Sequence, residues 1–166
     1  MLKSVKTFVL AGTGALALGG LIVVGPALAT PGSGFAPGPI VTGNFDPFLT
    51  ISHKDARWPE WDLLFKTKDQ TDLGVDVLTV QVGGYSGWHS HAGPIYVTVK
   101  AGSVTWYNGA DCSSRTFNVG DTYIEPAHKV HNVQNTGGDV ATLVAVAPRP
   151  HGAPGRLDAP APSCAN

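Results

Sequence analysis

The chain has 166 residues, of which 43% are hydrophobic and 14% charged, enough for one domain with a buried core. Eleven Lys and Arg against twelve Asp and Glu leave a formal net charge of −1. With no basic excess to neutralise a phosphate backbone, nucleic acid is excluded as the expected partner.

Residues 1–29 read as a secretory signal peptide. Lys3 and Lys6 precede an uncharged run from Thr7 to Val24, and Ala27-Leu28-Ala29 supplies small residues for cleavage. The alternative is a membrane anchor, because the apolar run comes close to the roughly 20 residues that a span needs. Its glycines and small-residue exit favour cleavage after Ala29, which predicts a secreted, periplasmic or cell-envelope protein without a stable membrane anchor. Losing both lysines leaves nine basic against twelve acidic residues, a formal charge of −3. Export also changes how the two cysteines read, since an oxidising compartment favours pairing over free thiols. Cys112 and Cys164 are the expected disulfide, with two independent thiols as the alternative.

Residues 30–39, TPGSGFAPGP, are rich in Pro and Gly and predict a flexible, irregular leader. Over residues 40–147, short β-branched and aromatic runs such as FLTIS, WDLLFKT, VDVLTVQV, IYVTVKAG, SVTWY and VATLVAV are separated by Gly, Asp, Asn and Pro. No helical period is sustained. Lys54 to Trp61 could hold one helical turn, limited by Pro59. Many short strands at near-regular spacing predict an all-β sandwich or barrel. Residues 148–166 contain five prolines and predict a tail over the surface, pinned where Cys164 meets Cys112.

The alternation in IYVTVK places Ile95, Val97 and Val99 on one face and Tyr96, Thr98 and Lys100 on the other. Counting back by twos, His89 and His91 share the apolar face, provided one strand continues across Gly93 and Pro94. Two imidazoles facing the interior could chelate a metal, given a third ligand from elsewhere.

Two spacings supply it. The first runs Gly83, five residues, His89 and His91, three residues, Ile95, six residues, Gly102; the second runs Gly120, five residues, Pro126, His128, His131 and Asn135. Both resemble the two motifs of the cupins, small β-barrels in which a His-x-His pair and a glutamate from the first motif meet a histidine from the second. The resemblance implies a double-stranded β-helix (jelly-roll) barrel. It also implies that His89, His91 and His131 are ligands of one divalent transition metal, drawn from Fe, Zn, Mn, Ni or Cu. Core histidines in a metal-free barrel are the alternative.

Two positions depart from the family pattern. The glutamate falls on Ile95, which cannot coordinate, and His128 replaces the second motif's internal glycine. Three neutral ligands would leave the ion its full charge and open positions. Glu125, beside Pro126, is the candidate general base or ligand-orienting carboxylate; a solvated acid at a strand end is the alternative. His128 is expected as a surface imidazole, Tyr96 as outward-facing, and His53 and His151 lie outside both motifs.

These features support an exported, metal-binding cupin. It would be a mononuclear metal-dependent enzyme, oxygenase-like or lyase/isomerase-like, acting on a small organic molecule. The alternative is a non-catalytic module that sequesters a metal or small ligand. A third reading is a structural barrel that self-associates, as a homodimer, through exposed sheet edges.

Overall fold

The computed structural model describes residues 29–38 and 40–165. Apart from Ala29, the segment read as a signal peptide lies outside the described residues. No helix among the described residues is long and apolar enough to cross a membrane. The described residues are nearly all strand, and the main sheet curls into a nearly closed barrel.

The long strand β5 (Thr71–Tyr85) organises the barrel; β1 (Ser33–Pro37) and β2 (Val41–Phe45) pair along it on one side. On its other side β12 (Ala141–Pro150) runs antiparallel, with Ala141 opposite Val80 and Pro150 opposite Thr71. Beyond β12 come β7 (Ile95–Ala101) and β10 (Thr122–Glu125). In the other direction β5 meets β11 (His131–Gln134), which also pairs with the short β6 (His89–Ser90) and with β8 (Ser103–Asn108). Strand β9 (Ser114–Asn118) pairs with β8, and β13 (Leu157–Asp158) with β6.

Period-2 alternation fixes which side chains enter the barrel. Along β7, Ile95, Val97 and Val99 are buried while Tyr96 is 43% exposed; along β12, Ala141, Leu143 and Ala145 are buried. With Val80, Val104, Phe117, Tyr123 and Val133 they form one continuous core. Fully burying a Val or Leu side chain contributes about 1.5–3 kcal/mol each.

Four local features differ from the expectations. The histidines and Ile95 do not share a strand, because β6 ends at Ser90 and β7 begins at Ile95. At Gly93 the backbone passes so close to Pro148 that a Cβ would stand 2.0 Å from its carbonyl oxygen, and Pro94 has no N–H to offer a ladder. The stretch read as an irregular leader contains β1, whose Phe35 packs against the core; a strand added at a sheet edge tolerates the terminal Pro37. The tail contains β13 and contacts the site described below. Lys54 to Trp61 holds no helix: it spans the turn of a separate two-stranded hairpin of β3 (Thr50–Asp55) and β4 (Trp58–Lys66), on which Trp58 is 67% and Leu64 68% exposed.

Candidate metal centre

His89 and His131 are direct partners across β6 and β11, so both side chains leave the sheet on the same side. His91 follows β6, and its backbone carbonyl accepts a hydrogen bond from the His128 N–H at 2.9 Å. The three rings meet with centroids 4.5–5.1 Å apart. Trp106 stacks on His131 with its centroid 6.0 Å away. All three histidines are buried, His131 completely, and their ligand atoms lie within 4.8 Å of one another.

Each imidazole is held by a backbone carbonyl. Nδ1 lies 2.8 Å from the Gly87 carbonyl oxygen in His89, 2.6 Å from that of Gly155 in His91, and 2.8 Å from that of Lys129 in His131. A carbonyl only accepts, so each Nδ1 carries the hydrogen and, in the neutral ring, each Nε2 is left with a lone pair. This tautomer suits metal ligation, and the hydrogen bonds fix ring orientation. The Gly87 contact depends on glycine: φ is +71°, and a Cβ there would meet the Thr30 carbonyl oxygen at 2.1 Å.

Glu125 joins the histidines. Its Oε2 lies 3.2 Å from His91 Nε2 and 3.4 Å from His131 Nε2, with the carboxylate side chain buried. Among the described residues neither Nε2 makes a hydrogen bond. Burial alone would raise the Glu125 pKa, but the neighbouring His131 and His91 outweigh it and hold the group down at about 2. Burial depresses His89 to about 3, assisted by the positive charge of His131. Burial also opposes charge on His131, yet the Glu125 carboxylate wins and its pKa lies above the usual histidine value.

A cavity of about 650 Å³ adjoins this cluster. Leu78, Ile95, Val97, Val133, Leu143 and Ala145 give it apolar walls, while Asp76, Tyr123, Arg149 and Arg156 add polar groups. Asp76 Oδ1 and the Tyr123 hydroxyl are buried without a hydrogen-bond partner among the described residues. Burial, reinforced by the charge of Glu125, pushes the Tyr123 phenol well above 10.

The tail reaches the same place. Gly155 anchors His91, β13 pairs with β6, and a Cys112–Cys164 disulfide joins the chain beyond β13 to the loop between β8 and β9. His128 is exposed, with φ +58°, and His151 pairs instead with Asp72 at 2.8 Å.

Residues 76–147 match the sequence model of a family described as the cupin domain. These residues form a cupin domain. Three solved structures similar to this cupin illustrate its relatives. A conserved protein of unknown function from Streptococcus pyogenes is 21% identical, over 64% of this chain and 77% of its own, with a TM-score of 0.44. The polyketide cyclase RemF from Streptomyces resistomycificus is 17% identical over 52% of this chain and 59% of its own, with a TM-score of 0.46. A Klebsiella pneumoniae protein with a double-stranded β-helix domain is 25% identical over 53% of this chain and 70% of its own, also at 0.46. This cupin thus spans less than two thirds of the polyketide cyclase. No curated protein matches it in sequence.

The cupin motifs locate His89, His91 and His131, and the structure brings all three together. Of the remaining contributors, Gly155 and Thr30 carry no local signal, because they reach the site only through distant pairing. Thr30 Oγ1 accepts a hydrogen bond from the Trp88 N–H at 2.8 Å, bracing the backbone beside His89.

Proposed function

We propose that this cupin binds one divalent transition metal through His89, His91 and His131 and presents it to a small organic molecule in the adjoining cavity. The observation that carries the reading is the shared tautomer: three carbonyls take the Nδ1 hydrogens and leave three converging Nε2 lone pairs in a buried cluster. Without a cation, buried acceptors facing one another lack partners and are costly. Neutral imidazole suits several transition metals, and three histidines leave open coordination positions.

When bound, such an ion acts as a Lewis acid toward a coordinated oxygen. The chain supplies the rest. Carbonyls hold the imidazoles in orientation, Ile95 and Val97 keep the cavity wall apolar, and Glu125 remains ionised beside the histidines. A small ligand with an apolar body and polar substituents would satisfy Asp76 Oδ1 and the Tyr123 hydroxyl, which line the cavity. Export belongs to the same proposal, supported by the disulfide, which persists in an oxidising compartment.

Elemental analysis of the mature protein, purified from an exported fraction without a metal-binding tag, tests the reading. One equivalent of transition metal is expected, falling to near zero in His89→Ala, His91→Ala and His131→Ala. Metal content unchanged by all three substitutions overturns it.

A further inference from the structure

We infer that Glu125 is a fourth protein ligand, supplying from the facing strand the carboxylate that Ile95 cannot provide. The inference rests on the metal-binding reading above and adds to it the donor set and charge of the site.

Strand register comes first. Glu125 and Ile95 are direct partners across β10 and β7. Directly opposed residues of an antiparallel pair project from the same face, with Cβ atoms about 4.5–5.5 Å apart. A carboxylate absent at residue 95 and present at residue 125 has therefore moved by one strand spacing without leaving the interior. Ile95 then fills the position where the first motif would place its acid, as a buried cavity wall.

The distances fit shared coordination. Two donor atoms, each about 2.0–2.2 Å from one ion and subtending 90–110°, stand roughly 2.8–3.6 Å apart. Glu125 Oε2 stands 3.2 and 3.4 Å from the Nε2 atoms of His91 and His131. Those contacts miss hydrogen-bond geometry, and with Nδ1 protonated each neutral ring offers only a lone pair there. Acceptors approaching this closely are stabilised by a positive charge between them, a metal ion or, in its absence, a proton. Glu125 is only 5% exposed, so bulk water does not supply the compensation.

Ligation by Glu125 predicts a site of net charge +1 with a divalent ion. It also predicts that a carboxylate is interchangeable between the two strands. The test loads metal-free mature protein with Co²⁺, reads the ligand-field spectrum, and measures affinity by competition with a chromophoric chelator. Glu125→Gln is expected to alter the spectrum and weaken binding by about 100-fold, the upper end of the loss typical of outer-shell changes or beyond it. The double variant Ile95→Glu/Glu125→Gln is expected to recover a carboxylate-ligated spectrum and most of the affinity. Infrared difference spectra of wild-type protein with and without Co²⁺ give an answer that needs no substitution: the carboxylate stretches shift if Oε2 binds.

If His91→Ala abolishes binding while Glu125→Gln keeps the wild-type spectrum, Glu125 is not a ligand and the inference falls, though the three-histidine reading stands. Weakened affinity with an unchanged spectrum overturns it equally, because Glu125 would then only orient the histidines. Retention of Co²⁺ by His91→Ala as well removes the metal-binding reading beneath it.

Discussion

Strand β11 holds two inward-facing residues with different fates: Val133 belongs to the apolar core, and His131, two positions earlier, belongs to the histidine cluster. The same contrast appears along β10, where Tyr123 joins the core while Glu125, two positions on, lies against His91 and His131. A step of two residues, about 7 Å, carries a strand from packing to chemistry. Alternation decides which residues enter the barrel; position along the strand decides whether they meet other hydrocarbons or converging donors.

The contrast is broken most severely from the polar side. His131→Ala should remove nearly all bound metal, measured by elemental analysis, because no neighbouring side chain can replace a buried imidazole. Leu143→Ala, in the apolar region, should retain an equivalent of metal yet lose about 2–5 kcal/mol of stability in urea unfolding. Metal loss in Leu143→Ala without a stability change would erase the distinction.

The tail offers a smaller lever that crosses both regions. Cys164→Ser should cost about 2–4 kcal/mol by freeing a closed loop. It should also weaken metal binding by roughly tenfold, as loss of a ligand's hydrogen-bond partner does, because Gly155 would hold His91 less firmly. Non-reducing intact mass checks the bond, and chelator competition checks the affinity. Unchanged affinity would show that β13 holds Gly155 in place without the disulfide.

Acid acts on the polar region. In metal-free protein, His89 is neutral down to about pH 3, whereas an unfolded histidine takes its proton near 6.5. The unfolded state therefore gains protons first, and stability should fall as pH drops below about 6.5, levelling near 3. His131 is shifted the opposite way, so its contribution is fully present below 6.5 and is lost only as pH rises through its folded value. Glu125 adds a second acid loss, as pH falls from 4.5 through about 2. Urea midpoints at pH 7, 5 and 4 follow the histidine part, which His89→Gln should flatten.

The smallest effect concerns His128, held at φ +58° where the family pattern has glycine. His128→Gly should leave metal content unchanged and raise stability by up to about 1 kcal/mol, since a left-handed residue with a Cβ costs about 1–2 kcal/mol before glycine's greater unfolded entropy is subtracted.

The barrel and its three histidines were legible because alternation and motif spacing are local properties. Ile95, Val97 and Val99 read as inward, Tyr96 as outward, and both stand so in the structure. Cross-strand partnership was not legible: nothing within GDTYIEP states that Glu125 will face Ile95, thirty residues earlier, because that register is set by the whole barrel. The break between β6 and β7 was missed for a related reason, since the close approach of Gly93 to Pro148 is tertiary. In the leader, proline and glycine content outweighed Phe35, whose burial against β5 only the folded sheet reveals.

The carbonyl that orients His91 belongs to Gly155, sixty-four residues downstream. During synthesis the His-x-His pair and the second motif emerge well before that residue, so for an interval the nascent chain carries histidines whose rings are not all aimed. The histidine cluster is complete only once the tail has crossed β6, so the proposed metal binding would come late in the life of the chain. The ion bound under that proposal would then be set by what is available after folding as well as by the order of intrinsic affinities.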